Sequence, residues 1–223
     1  MLSREQQTMR ELVAIPDGVA SVEGLLEIPP HVRGMVLFAH GSGSGRHSPR
    51  NQFVAQQLQL ADMGTLLVDL LTPEEDHDTQ SRFDIELLAS RLAVAAAWLR
   101  ARQAGVALGL FGASTGAAAA LRLAAQAGID VVALVSRGGR PDLAGNEALH
   151  RVRAPTLLIV GGDDDEVLAL NQKAYAQMHC EKRLEIVAGA THLFEEPGRL
   201  EEAAMLAVNW FSFHFPRPRP RHA

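Results

Sequence analysis

The chain opens on two short β-prone segments, residues 11–15 and 19–28, with Pro16-Asp17-Gly18 between them as a turn signal. This predicts an antiparallel hairpin at the edge of a sheet. Pro29-Pro30 ends it, and 34–39 is an unbroken apolar run of the kind that parallel strands buried on both faces show. From there the pattern alternates. Helical segments are expected at 51–61, 84–102, 166–179 and 200–213, with a short one in the loop that runs through His150. Buried strands are expected at 64–69, 106–111, 131–135, 156–160 and 183–187, and Pro155 introduces the fourth of these. One further helix begins directly after the strand at 106–111, in the Ala-rich run that follows Gly116. Such alternation specifies an α/β fold: a mainly parallel sheet with helices on both faces, an N-terminal antiparallel hairpin and no lid insertion. Ligands in these sheets bind in the loops beyond the carboxyl ends of the strands.

Composition narrows the function classes. At 223 residues and 47% apolar, the chain suits one sizeable core, read here as a single domain over 1–215. The Pro/Arg-rich tail 216–223 is expected to be extended and solvated. A formal charge of -5 argues against a nucleic-acid partner and leaves a small molecule as the natural one. The one cysteine, Cys180, rules out an internal disulfide. The first residues lack an apolar targeting core and no stretch approaches the ~18 apolar residues of a membrane span, so a cytoplasmic protein with no membrane partner is expected.

The chemistry concentrates at the predicted strand ends. Gly112-Ala113-Ser114-Thr115-Gly116 joins a strand to a helix without a loop, the context of a nucleophile elbow. A Cβ at Gly112 or Gly116 would clash in so sharp a turn, and Ser114 would sit in a strained conformation with its hydroxyl exposed. Gly161-Gly162-Asp163-Asp164-Asp165-Glu166 follows a later strand, and Ala190-Thr191-His192 follows the last. Serine, carboxylate and histidine thus come in the chain order of one of the known serine-hydrolase folds. Each answers a need: the hydroxyl requires an imidazole to take its proton, and the imidazole requires a carboxylate to fix its tautomer. Any of Asp163, Asp164 and Asp165 can be that carboxylate. For the oxyanion, the glycine-rich loop His40-Gly41-Ser42-Gly43-Ser44-Gly45 offers the Ser42 N–H, with Gly41 close behind, and the elbow offers the N–H of Thr115. Thr115 is needed here for its N–H and not its side chain.

Other readings of these motifs are weaker. A dinucleotide loop would need glycine in place of Arg46, although Asp69 does end the next strand. Three consecutive aspartates lack the alternating spacing of a calcium loop. No cofactor or metal is implied.

Taken together, these motifs resemble single-domain α/β-hydrolases of the dienelactone hydrolase-like type, some of which occur fused to phosphoribosyltransferase domains. The resemblance runs from about residue 25 to 213. It also rests on Arg46-His47-Ser48-Pro49-Arg50-Asn51, on Ser136-Arg137-Gly138-Gly139-Arg140-Pro141-Asp142 and on His192-Leu193-Phe194-Glu195. It implies Ser114 as nucleophile, His192 as base and Asp164 as the carboxylate, in a hydrolase of a small ester or thioester. True dienelactone hydrolases are similar but use cysteine where Ser114 stands, so the lactone substrate does not carry over. Arg46, His47, Arg50, Arg137 and Arg140 fall on loops at the predicted carboxyl edge. They either favour an anionic group on the substrate or pin the loops to nearby acids. The rival function is a non-catalytic module of the same fold that binds a small anion or a partner domain.

Overall fold

The computed structural model describes residues 7–216, so the tail beyond Pro216 lies outside the described residues. Eight strands form one sheet in the order β1-β2-β4-β3-β5-β6-β7-β8. Strands β1 (Met9–Asp17) and β2 (Ala20–Ile28) make the expected hairpin, and β2 runs antiparallel to β4 (Met63–Val68). From β4 onward the sheet is parallel: β3 (Gly34–Ala39), β5 (Leu108–Ala113), β6 (Ala133–Arg137), β7 (Thr156–Gly161) and β8 (Lys182–Val187). Every residue of β3 through β7 is buried, which is why these strands are mainly apolar with no polar alternation, Thr65, Ser136, Arg137 and Thr156 being the polar residues among them.

Helices α1 (Pro49–Leu60) and α8 (Arg199–His214) cover one face, packing Val54, Leu58, Ala207 and Phe211 against Val36, Phe38 and Phe111. The other face carries α4 (Ile85–Arg102), α5 (Thr115–Ala124), α6 (Asn146–Arg151) and α7 (Asp165–Gln177), with Leu92, Leu99, Leu121 and Leu149 in its core. Helix α1 starts where Ser48 caps it and Pro49 takes the first position, whose N–H would have no partner in any case.

Two details depart from the sequence pattern. Between β4 and α4 the chain makes two short helices, α2 (Pro73–Asp76) and α3 (Thr79–Phe83). Neither buries a face, so periodicity does not signal them; the Thr72–Glu75 capping box and the Asp78 cap define them instead. Strand β6 lies two residues later than the apolar run suggests, because its register is fixed by β5, with Gly109 opposite Ala133 and Ala113 opposite Arg137. Arg137 is therefore the last residue of a buried strand and not a loop residue.

The chain turns from β3 to β4 on one side and crosses to β5 on the other, so the carboxyl ends of β3 and β5 diverge at a topological switch point. That crevice is where an open parallel sheet takes its ligand. His40-Gly41 leaves β3 there, and Ser114 leaves β5.

Candidate active site

Ser114 has φ 51° and ψ -123°, a left-handed backbone that a non-glycine residue adopts only when its surroundings force it. The forcing is visible in the flanking glycines. A Cβ on Gly112 would stand 2.4 Å from the Ala117 Cα, and one on Gly116 would stand 2.2 Å from the Ala39 carbonyl oxygen. The elbow is thus wedged against the end of β3. The Ser114 carbonyl accepts the Ala117 and Arg140 N–H groups at 3.1 Å each.

Two further loops meet it. His192 Nδ1 is 2.7 Å from Asp164 Oδ2. A carboxylate only accepts, so Nδ1–H is the donor of this pair. Of the three adjacent aspartates, Asp165 begins α7, and the Asp163 N–H donates to the Ala190 carbonyl at 2.9 Å, which ties this loop to the histidine loop. Only Asp164 meets the imidazole. The histidine loop is anchored by Phe194, 1% exposed and at φ 58°, and is closed by Thr191 Oγ1, which donates to Glu196 Oε1 at 2.5 Å. Ser114 and His192 line one cavity of about 240 Å³, together with Gly41, Ser42, Arg50, Asn51 and Arg137.

The loop after β3 is held by two residues, His40 and Thr115, whose roles were not evident from sequence. His40, 5% exposed, accepts the Leu70 N–H on Nε2 at 2.9 Å and donates from Nδ1 to the Gly41 carbonyl at 2.9 Å. It clamps the glycine loop to the end of β4 as a neutral imidazole; burial pulls its pKa below the ordinary 6.5. The buried Thr115 side chain also has a task, contrary to the expectation that only its N–H matters: its Oγ1 accepts the Ser42 N–H at 2.9 Å. A histidine directly before the glycine loop, and a hydroxyl directly after the nucleophile, are the signals that could have raised both.

The cationic candidates separate. Arg46 pairs with Asp69 and with Glu23 (2.5 Å), and its N–H donates to Asp69 Oδ1 at 2.6 Å. With Asp69 so engaged, the carboxylate that a dinucleotide loop would use is already taken. Arg46 and exposed His47 line a neighbouring cavity, not the one that holds Ser114. Arg140 grips Asp142 with two hydrogen bonds, at 2.9 and 2.7 Å. Arg137 and Arg50 are the arginines at the Ser114 cavity.

Comparison with known proteins places this arrangement. A family model described as an alpha/beta hydrolase domain matches residues 32–209. The structure of dienelactone hydrolase from Anabaena variabilis ATCC 29413 superposes with a TM-score of 0.90 at 51% identity, covering 94% of this chain and 100% of that one. A lidless α/β serine hydrolase from Xanthomonas campestris, at 19% identity and TM-score 0.78, covers 95% and 97% and speaks to the fold alone. A Mycobacterium tuberculosis H37Rv protein with the provisional name phosphoribosyl transferase is 55% identical over 212 residues, 94% of this chain and 48% of that protein. The chain thus spans about half the length of the curated relatives it matches.

Proposed function

The chain belongs to the alpha/beta hydrolase domain family, and from that premise we propose that it is a serine hydrolase of small carboxylic esters or thioesters, working through an acyl-enzyme on Ser114. One observation carries the reading: a serine held at φ 51° on the strand-to-helix elbow shares a cavity with His192, whose Nδ1–H is directed at Asp164 at 2.7 Å.

In the first half-reaction Ser114 Oγ attacks the carbonyl carbon while His192 Nε2 takes its proton. Collapse of the tetrahedral intermediate breaks the ester C–O or thioester C–S bond, and His192 returns the proton to the leaving alkoxide or thiolate. Water then attacks the acyl-serine with His192 again as base; collapse breaks the bond between Ser114 Oγ and the acyl carbon, His192 returns the proton to Oγ, and the carboxylic acid leaves. Asp164 accepts the Nδ1–H and stabilises the imidazolium. The Thr115 N–H, at the N-terminal end of α5, and the Ser42 N–H hold the oxyanion. Thr115 Oγ1, by accepting the Ser42 N–H in the resting site, orients that donor.

A fluorophosphonate probe tests this without knowledge of the substrate. Wild-type protein labels at Ser114; His192→Ala and Ser114→Ala do not. Folded wild-type protein that resists labelling and leaves a panel of short-chain esters and thioesters intact is a binding module instead. The provisional name of the Mycobacterium relative applies to a chain twice as long.

A further inference from the structure

Strand β8 ends the sheet on the side away from the hairpin, and among the described residues its outer edge carries no strand. Which backbone groups face that edge follows from its bonds to β7. The Thr156 and Gly162 N–H groups donate to the carbonyls of Glu181 and Val187 at 2.8 Å each, with Thr156 opposite Lys182 and Gly161 opposite Val187. Bonding residues alternate along a parallel ladder, so Arg183, Glu185 and Val187 use their backbone groups on β7, and Lys182, Leu184 and Ile186 direct theirs outward. The side chains alternate as well. Val187 belongs to the core on the α1 and α8 face, which places Arg183 and Glu185 on that face too. These two charges pair within the strand, and Arg183 is largely exposed. Alongside them lies a groove of about 560 Å³ between β8 and α8, with Leu206, Trp210 and exposed Phe213 among its walls.

An open strand edge takes another strand, and charges on the edge guard against it. That guard works where like charges meet. Antiparallel pairing of β8 with a second copy about Leu184 sets the outward-facing groups of Leu184 opposite Leu184 and of Lys182 opposite Ile186. It also sets Arg183 opposite Glu185 at the close, non-hydrogen-bonded positions. A centre on Arg183 or on Glu185 would instead bring two arginines or two glutamates face to face. The run Arg183-Leu184-Glu185 therefore selects one register. We propose that two copies of this chain form a symmetric dimer through β8, with Leu184 on the two-fold axis and an Arg183–Glu185 pair on either side of it. The axis is perpendicular to the continued sheet, so both α8 helices lie on one face and their apolar grooves come together beside it. The dimer stands independently of the role of Ser114.

Sedimentation velocity on the whole chain from about 1 to 100 μM tests it, and a reversible monomer–dimer equilibrium is expected. Arg183→Glu and Glu185→Arg each set like charges opposite one another twice per dimer and raise Kd about 10- to 100-fold, whereas the double swap returns Kd to within about 3-fold of wild type. Ile186→Pro removes an outward N–H and no bond to β7, so it also dissociates the dimer. The charge variants keep the Tm of dilute wild type, because an exposed pair within one strand contributes little; should one of them fail to fold, the other carries the same comparison. A wild-type chain that stays monomeric at about 100 μM overturns the proposal. So does a dimer indifferent to the single swaps, which uses another face, and so does a double swap that binds as weakly as the single variants.

Discussion

His40 offers the sharpest test of how the glycine loop is held. Replacing it by leucine keeps an apolar body of similar size and removes both ring hydrogen bonds. The Leu70 N–H, in a fully buried residue, then has no acceptor, a loss of about 1–3 kcal/mol. The Gly41 carbonyl keeps the Ser44 N–H at 3.2 Å, so losing its bond to the ring costs less, about 1 kcal/mol. The sum, about 2–4 kcal/mol, corresponds to roughly 5–15 °C in Tm for a chain of this size. The same clamp has a pH signature. Burial depresses the His40 pKa in the folded state, so the unfolded chain takes up a proton first as pH falls. The contribution is complete above the ordinary pKa of 6.5 and is lost progressively as pH drops below it towards the folded value. Denaturant titrations of wild type and His40→Gln at pH 7.5, 6.5, 5.5 and 5.0 measure this directly. The wild type loses stability across the series, and the Gln variant, which has no proton to bind there, has a flatter profile. A His40→Leu Tm within 2 °C of wild type, or parallel pH profiles for the two proteins, would refute the clamp.

Three other substitutions probe the site from different sides. Thr115→Val removes the acceptor for the Ser42 N–H and lowers kcat about 3- to 10-fold with little change in KM, while Thr115→Ser restores it; equal activity in Val and Ser would show that the hydroxyl does not orient the donor. Gly116→Ala drives a Cβ to 2.2 Å from the Ala39 carbonyl and 2.4 Å from that of His40, backbone atoms that cannot move aside, and costs about 3 kcal/mol or more by chemical denaturation together with loss of turnover. Arg46→Ala breaks the contacts to Asp69 and Glu23 and lowers Tm by a few degrees, but leaves kcat/KM on short-chain esters as in wild type; a changed kcat/KM would return Arg46 to the substrate site.

Much of this was legible in the chain because each buried parallel strand is a contiguous apolar run, and the residues just past its carboxyl end can be counted off. Ser114, His192 and the aspartate run at 163–165 are visible in that way, as is the wedging of Gly112 and Gly116. The choice among Asp163, Asp164 and Asp165 is not. It depends on which of three neighbouring side chains faces a loop 28 positions away, and that is set by the Asp163 N–H on the Ala190 carbonyl and by α7 starting at Asp165. The helices α2 and α3 are likewise hidden, since a cap without a buried face leaves no period to read.

The arginines show where sequence position stops being informative. Arg46, Arg137 and Arg140 all follow parallel strands at the carboxyl edge, and their spacing treats them alike. What separates them is which acids lie near. Asp142 stands two residues from Arg140, so that pair is local. The Asp69 that holds Arg46 lies 23 positions along, at the end of the neighbouring strand β4. Arg137 has the rings of Phe111 and Phe194 each 5.9 Å from its guanidinium, and the two-residue shift of β6 makes it a strand residue and not a loop one. A strand boundary misjudged by two residues therefore turns a solvated loop cation into a buried one beside the nucleophile. The elbow is tied to the same register, since Gly112 lies opposite Ser136 and the Ser114 N–H donates to the Arg137 carbonyl at 3.3 Å, so a one-residue insertion between Val131 and Ala133 that re-registers β6 would disturb the Ser114 elbow together with Arg137.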